Sequence, residues 1–338
     1  SIGILPLSSQ IIQHLDASKE ASVIRDPLDN VIQWTNQLGD TLHAWPANGN
    51  GRYVPGKTFP NGLRGVDVSG SRISLQLFSA SESDTILDQG THRRGFCIIT
   101  ALYIDSLISD WNDFLGNSSK VRTGFFMRYS NTGEPIGNLG SNLGRGPVGL
   151  EGGQAVILSF NYDAVSGEWS FWSSATGEDL TGNVTADDFS NESPLTIGST
   201  TGGSRYFDGL IGEVMVFDSS LTLTDRREII SGLEEKWGIE SKVERTVETY
   251  KYTGINGEMH DIEVHFPDRE IYPGNRPCAV FFHGGGWRNG DLSQFSEMSA
   301  YLASRGMVAL TANYSMHNEE SEAALPEDES RKTICVID

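Results

Sequence analysis

Ala279-Val280-Phe281-Phe282-His283-Gly284-Gly285-Gly286-Trp287 decides how the carboxyl-terminal part of this chain folds. The apolar run is short enough for a buried strand and too short for a helix, and three glycines end it. Glycines leave backbone N–H groups uncovered at such a bend. Two of these donors can meet the negative charge that develops on a substrate oxygen in acyl transfer, an oxyanion hole that contributes a few kcal/mol to the transition state. A flexible loop is the other reading of a triple glycine. Its place between a hydrophobic strand and a helix, with His283 before it and Trp287 after it, favours anion binding. No Gly-x-Ser-x-Gly occurs in the 338 residues, so this hole has no nucleophile elbow in the chain.

Working outward, Val247 to Tyr252 and Asp261 to Phe266 flank Asn256-Gly257 and predict a hairpin. The run at 278 to 282, a helix from about Ser293 to Ser304 and a strand over Met307 to Tyr314 then follow in order. Strand, helix, strand implies a right-handed crossover joining a parallel pair. A further helix is expected to begin near Glu327.

Residues 1 to about 240 carry a different pattern of short apolar or alternating runs parted by Gly, Asn, Asp and Ser clusters. Predicted strands are Ser71 to Phe78, Phe96 to Tyr103, Thr123 to Tyr129, Ala155 to Tyr162, Glu168 to Ser173, Pro194 to Gly198 and Gly209 to Phe217. Turns are expected at Asn48-Gly49-Asn50-Gly51, Asn61-Gly62, Thr176-Gly177 and Thr201-Gly202-Gly203. One strong helix is predicted from Thr224, as N-cap, to Trp237, with Gly238 as its stop. Ile229, Leu233 and Trp237 form one stripe of it, expected to dock on a sheet. The polar residues 241–249 mark a linker, so the expected organisation is 1–240, 241–249 and 250–338.

The composition agrees with two domains of globular, loop-rich protein: 38 glycines, 12 prolines and 38% hydrophobic residues. A formal net charge of -20 repels phosphate backbones and anionic headgroups, which argues against a nucleic-acid partner. No run reaches the length of a membrane span, and Ser1 is followed by no basic-then-apolar leader. Cys97, Cys278 and Cys335 lie far apart beside apolar residues and read as small buried hydrophobes, with no C-x-x-C pair. No metal or organic cofactor is called for. The acidic, cysteine-poor composition suits a bacterial exported protein, secreted or in the cell envelope, and sets no oligomeric state.

Leu15-Asp16-Ala17-Ser18, Val31-Ile32-Gln33-Trp34 and Asp208-Gly209-Leu210-Ile211-Gly212-Glu213-Val214-Met215-Val216-Phe217, running into the predicted helix, together resemble the concanavalin-like, laminin-G-type jelly-roll modules. That resemblance covers residues 8 to 240 and implies two packed antiparallel sheets. Residues 247 to 338 resemble the opening third of an α/β-hydrolase of the esterase and lipase type. Here the residues are Phe281 through Asp291, Tyr301 through Leu310, and Asn313-Tyr314. The resemblance implies Gly285 and Gly286 as the amide donors and His283, with Gly284, as support for the loop, not as general base. The fold expected is therefore mainly β, a concanavalin-like β-sandwich followed by a truncated α/β-hydrolase portion.

Trp287 either stacks on a sugar or caps the loop against the core. Ser296, Asp291 and His317 lack an elbow pattern and read as surface or capping residues. Asp187-Asp188 and Asp208 read as solvated acidic turns, since no calcium-loop spacing is present. Trp34, Trp45, Trp111, Trp169 and Trp172 are candidates for a sugar-stacking platform. Trp169 and Trp172, three apart on one strand, are expected on opposite faces, with one of them in the core.

The expected function is that of a fragment of an exported serine-type carboxyl-ester hydrolase, resembling carbohydrate acetyl esterases, with an accessory glycan-binding-like module. Its partner would be a polysaccharide or glycan ester, and the chain alone is expected to be inactive. The alternatives are a carbohydrate-binding or adhesion protein with a passive hydrolase-like remnant, and a sandwich that only spaces or shields the enzyme.

Overall fold

A computed structural model describes residues 11–39, 42–49, 51–53, 55–69, 74–78, 95–107, 111–117, 124–140, 142–146, 148–177, 179–184, 194–199, 205–240, 246–254, 257–268, 272, 274–285 and 289–315. The chain divides into two compact units, Ser1–Val243 and Glu244–Asp338.

The strands of the first unit are β1 (Ile11–Asp16), β2 (Val23–Arg25), β3 (Val31–Trp34), β4 (Trp45–Asn48), β5 (Val66–Asp67), β6 (Ser74–Phe78), β7 (Phe96–Ile104) and β8 (Trp111–Gly116). They continue with β9 (Phe125–Ser130), β10 (Pro135–Leu139), β11 (Asn142–Arg145), β12 (Gln154–Tyr162), β13 (Glu168–Ser173), β14 (Asp179–Asn183), β15 (Leu195–Ile197) and β16 (Gly209–Phe217). One sheet runs β1-β16-β7-β12-β13-β14, with β5 also on β16, and the other runs β11-β10-β9-β8-β15-β6-β4. All their pairings are antiparallel. The first unit is thus a β-sandwich, and its core is rich in aromatic rings such as Phe96, Phe125, Phe160 and Trp169.

Helix α1 (Leu223–Trp237) follows β16. Its N-cap is Thr222, not Thr224: the Thr222 side chain accepts from the Asp225 N–H, the reach expected of a cap. Gly238, at φ 64°, ends the helix in the left-handed conformation. Ile229, Leu233 and Trp237 are buried. This helix also overturns the expectation that only one of Trp169 and Trp172 is core, since both are fully buried. Trp169 points inward: a Cβ on Gly137 or Gly144, both on the opposite sheet, would come within 2.9 or 2.7 Å of its ring. Trp172 points outward and is covered by α1, whose Arg227 guanidinium lies 4.1 Å above the indole. A sheet face with a helix laid on it is as buried as the face in the sandwich.

The second unit contains β17 (Thr246–Thr253), β18 (Met259–Phe266), β19 (Cys278–Phe282), a 3-10 turn over Leu292–Phe295, α2 (Ser296–Ala303) and β20 (Val308–Ala312). The expected helix from Ser293 begins as that 3-10 turn and becomes α-helical only at Ser296. The sheet order is β17-β18-β20-β19. β17 and β18 form an antiparallel hairpin, while β19 and β20 are parallel, as the crossover implies. α2 packs one face of this sheet, with Ser299 and Thr311 buried and 3.2 Å apart between their hydroxyls.

Among the described residues β19 is an edge strand of this sheet, and its Val280 and Phe282 are 51% and 58% exposed. Cys278 is exposed as well, against the expectation of a buried thiol, because it shares that uncovered face. Cys97 does sit in the core, and its burial pushes the thiol up to about 12. The expected linker is shortened: 241–245 lie outside the described residues and 246–249 belong to β17. Cys335, Asn256 and the helix expected near Glu327 also lie outside the described residues.

Candidate oxyanion site

β19 delivers His283 at the carboxyl end of a parallel pair, the end at which open α/β sheets bind their ligands. Phe282 is in register with Ala312, so His283 and Asn313 leave the sheet side by side. His283 is buried, with Nε2 2.7 Å from Asn313 Oδ1 and Nδ1 3.1 Å from the Gly284 carbonyl oxygen. The Tyr314 ring stacks on the imidazole at 4.5 Å, and its hydroxyl donates to the His283 carbonyl at 2.8 Å. Two acceptor oxygens facing both ring nitrogens are satisfied by the imidazolium, or by the neutral ring when the Asn313 amide presents its NH2 to Nε2. In either state both nitrogens are engaged, and the ring has none to spare for a substrate proton.

Past the histidine the chain turns back on itself. The Gly284 N–H donates to Gln294 Oε1 at 2.5 Å, so this amide is already used. Gly285 stands at φ +131°, and a Cβ there would lie 1.6 Å from the Asn289 carbonyl oxygen. Gly290, at φ +123°, leaves no more room: a Cβ would meet the Gly284 carbonyl at 2.2 Å and His283 Nδ1 at 2.4 Å. These two positions therefore require glycine for conformation and for space. Gly285 is exposed, and its N–H has no partner among the described residues. Gly286 and Trp287 lie outside the described residues.

The sequence marked His283, Gly284 and Gly285 as site residues; of the groups that hold them, Gly290, Asn313 and Tyr314 entered only as part of the hydrolase resemblance, with no role, and Gln294 did not enter. Asn313 and Tyr314 had a signal, since they end the apolar strand predicted over Met307 to Tyr314 and parallel to β19; the observed strand stops at Ala312. Gln294 had none.

The remaining candidates separate. The Asp291 carboxylate accepts from the Ser293 N–H at 2.8 Å, capping the 3-10 turn, and hydrogen bonding from the Ser293 side chain and from this N–H holds its pKa below the ordinary value. Ser296 Oγ donates to Glu263 Oε1 at 2.6 Å, and His265 Nε2 lies 2.7 Å from the same oxygen. Burial raises the Glu263 pKa, but those two contacts outweigh it and the net shift is downward. Glutamate, not histidine, is central there, so the trio lacks the order of a serine nucleophile with its base. His317, Asp187 and Asp188 lie outside the described residues, and Asp208 accepts a hydrogen bond from Ser106 at 2.5 Å.

His14, Asp16 and Glu213 bring possible metal-ligand atoms within 4.8 Å of one another. Lys236 Nζ already bridges the two carboxylates, 2.8 Å from Asp16 and 2.5 Å from Glu213, so an ammonium fills the position a cation would take.

No protein-family model matches the chain, and no curated protein does. Among solved structures, a Trypanosoma rangeli sialidase mutant with trans-sialidase activity superposes with a TM-score of 0.48 at 13% identity over 69% of this chain. The aligned region spans about a third of that sialidase's length, 34%. Domain 4 of an extracellular arabinanase from Geobacillus stearothermophilus, bound to arabinotriose, gives a TM-score of 0.44 at 14% identity over 63% of this chain and 94% of that domain. Thermogutta terrifontis esterase 2 is 33% identical over 21% of this chain and 28% of its own, with a TM-score of 0.20. Overlaps of this size carry nothing about ligand or activity. The sandwich is established by its own sheet pairing, and no described helix is long and apolar enough to cross a membrane.

Proposed function

We propose that the second unit is the opening portion of an α/β-hydrolase-type carboxyl-ester hydrolase and supplies the anion-binding half of its site. The observation that carries this is the bend after β19: a histidine fixed on both ring nitrogens, a first glycine amide held by Gln294, and an exposed Gly285 amide that has no partner among the described residues. Gly285 and Gly286 would bind the carbonyl oxygen as it becomes an oxyanion, and His283 would hold the loop in place. Trp287 would stack on a sugar of the substrate. The serine, acid and histidine of acyl transfer are not assigned to any residue of this chain, which has no Gly-x-Ser-x-Gly. The first unit is read as an accessory glycan-binding module, and the substrate as an ester on a polysaccharide, handled outside the cell.

The test joins two measurements on the whole chain. Titration with methylphosphonate, followed by amide NMR, is expected to shift Gly285 and Gly286, and Gln294→Ala to weaken that response. Incubation with a fluorophosphonate and with p-nitrophenyl acetate is expected to give no labelled serine and no turnover. Unmoved glycine amides, or a labelled serine within the chain, would overturn the reading.

A further inference from the structure

The outer face of the second sandwich sheet carries side chains that the hydrolase reading does not use. Asp113, Arg128, Ile136 and Arg145 are successive cross-strand partners on β8, β9, β10 and β11 and so share that face. Trp111, two residues before Asp113, shares it too and is partly exposed. Three guanidinium groups surround its indole, Arg145 at 5.1 Å and Arg128 and Arg205 each at 5.9 Å from the ring centroid. Arg128 Nε also lies 2.6 Å from Asp113 Oδ1, and Arg145 lies 2.9 Å from Glu134 Oε2. Burial draws the Arg128 pKa down to about 10; Asp113 opposes the fall, and Arg205 and Arg145 add to it. Like charges are thus gathered within mutual reach on a chain that has 45 acidic and only 25 basic residues. Asn138, in register with Phe126 on the same face, is buried with an Oδ1 that accepts no hydrogen bond among the described residues.

An indole offers an apolar platform to the ring face of a pyranose. A guanidinium offers a planar fork matched to a carboxylate. Asp113, Arg128, Ile136 and Asn138 are buried, so a ligand can meet this face only at Trp111, Arg145 and Arg205. We propose that these three bind an acidic glycan, a chain of uronic-acid sugars, with a sugar ring against Trp111 and its carboxylate on Arg145 and Arg205. The inference rests on the glycan-binding reading of the first unit and is independent of ester hydrolysis. A nucleic acid also offers anions and stacking rings, but its dense phosphates meet the repulsion of a net charge of -20.

The experiment is calorimetric titration of the whole chain with a hexamer of galacturonic acid, the matching neutral galactose hexamer, and oligothymidylate. The acidic hexamer is expected to bind at least about tenfold more tightly than the neutral one, with affinity falling as salt rises. Trp111→Ala and Arg145→Gln are each expected to weaken it about tenfold. Arg145 is 45% exposed at its side chain, so Arg145→Gln keeps the test valid if Trp111→Ala fails to fold. Equal binding of acidic and neutral hexamers, acidic binding unchanged in Arg145→Gln, or tighter binding of oligothymidylate would overturn the proposal. Neutral-glycan binding that survives both substitutions would overturn this placement and leave the glycan reading standing. No binding of any glycan would overturn both.

Discussion

Glu213→Gln is expected to be among the most damaging single substitutions in the first unit. Glu213 is fully buried on β16, where Oε1 takes His14 Nε2 at 2.6 Å and Oε2 takes Lys236 Nζ at 2.5 Å and Trp237 Nε1 at 2.7 Å. Lys236 also reaches Asp16 at 2.8 Å, so one carboxylate joins β1, β16 and the end of α1. Removing one member of a buried ion pair costs ~3–5 kcal/mol, mostly because the other charge is left buried without its partner. Lys236 keeps Asp16 and is 19% exposed at its side chain, which places the expected loss at the lower end, ~3 kcal/mol. In a domain of this size that corresponds to a melting point lowered by ~6–12 °C. Intrinsic fluorescence can follow it, since six of the seven tryptophans lie in the first unit and Trp237 touches Glu213 itself. Glu213→Gln combined with Lys236→Met should lose less than the sum of the two single changes, because the double variant leaves less uncompensated charge. A Glu213→Gln variant within ~0.5 kcal/mol of the parent, the range of ordinary surface substitutions, would refute the reasoning.

Three further outcomes are expected. Gly144→Ala would place a Cβ 2.7 Å from the Trp169 ring and 3.1 Å from Leu180 Cγ, so denaturant unfolding should show a loss of ~1–3 kcal/mol. Burial raises the Asp16 pKa, but hydrogen bonds from Lys236 and Ser18 outweigh it and leave the folded value below the unfolded one. Asp16 therefore stabilises the fold above the ordinary carboxylate pKa of ~4. That contribution fades as pH falls from there through the lowered folded value, so an Asp16→Asn variant should lose less stability than the parent on acidification over this range. On the second unit, Phe282→Lys should reduce self-association in sedimentation at high protein concentration while changing stability little, because Phe282 is 58% exposed on an edge strand. Equal association of the parent and this variant would contradict that assignment.

What the sequence disclosed and what it hid have a common physical basis. β13 and β16 were legible to their end residues because each is dense in apolar side chains between turn residues, broken inside by Ser170 in β13 and by Glu213 in β16. β10, β11 and β14 read as Pro-Ile-Gly-Asn-Leu, Asn-Leu-Gly-Arg and Asp-Leu-Thr-Gly-Asn, which resemble turns. Their glycines serve one distant side chain: Gly137, Gly144 and Gly182 are the places where the Trp169 ring leaves no space for a Cβ. A glycine kept small for a neighbour far along the chain looks the same, in sequence, as one kept flexible for a turn. The pairing of Trp169 and Trp172 shows the complementary case. The helix that docks on the sheet was legible from Ile229, Leu233 and Trp237, yet period-two reasoning still assigned the outer face of β13 to solvent. Glu213 gave no signal, since its partners His14 and Lys236 are 199 and 23 residues away. At the candidate site the glycines were legible as a motif, but their fixation by Gln294 and Asn313 depends on side chains 10 and 30 residues further on.

The position of the glycine bend on its sheet limits how the proposed chemistry could proceed. On the β20 side, Asn313 and Tyr314 occupy the space beside His283 with a ring stack at 4.5 Å and a hydrogen bond at 2.7 Å. A serine could not be brought up through those groups without releasing the histidine that they hold. The other side of β19 is an edge, with the apolar side chains of Val280 and Phe282 turned to solvent beside it. An acyl carbon within reach of the Gly285 amide must also lie about 3 Å from its attacking oxygen. On the proposed reading, that oxygen arrives along the free edge of β19, on a segment that pairs with this strand and covers its exposed residues. The same step would satisfy the edge backbone that has no strand beside it among the described residues, and would shield Phe282, so completing the site and stabilising the sheet would be one event.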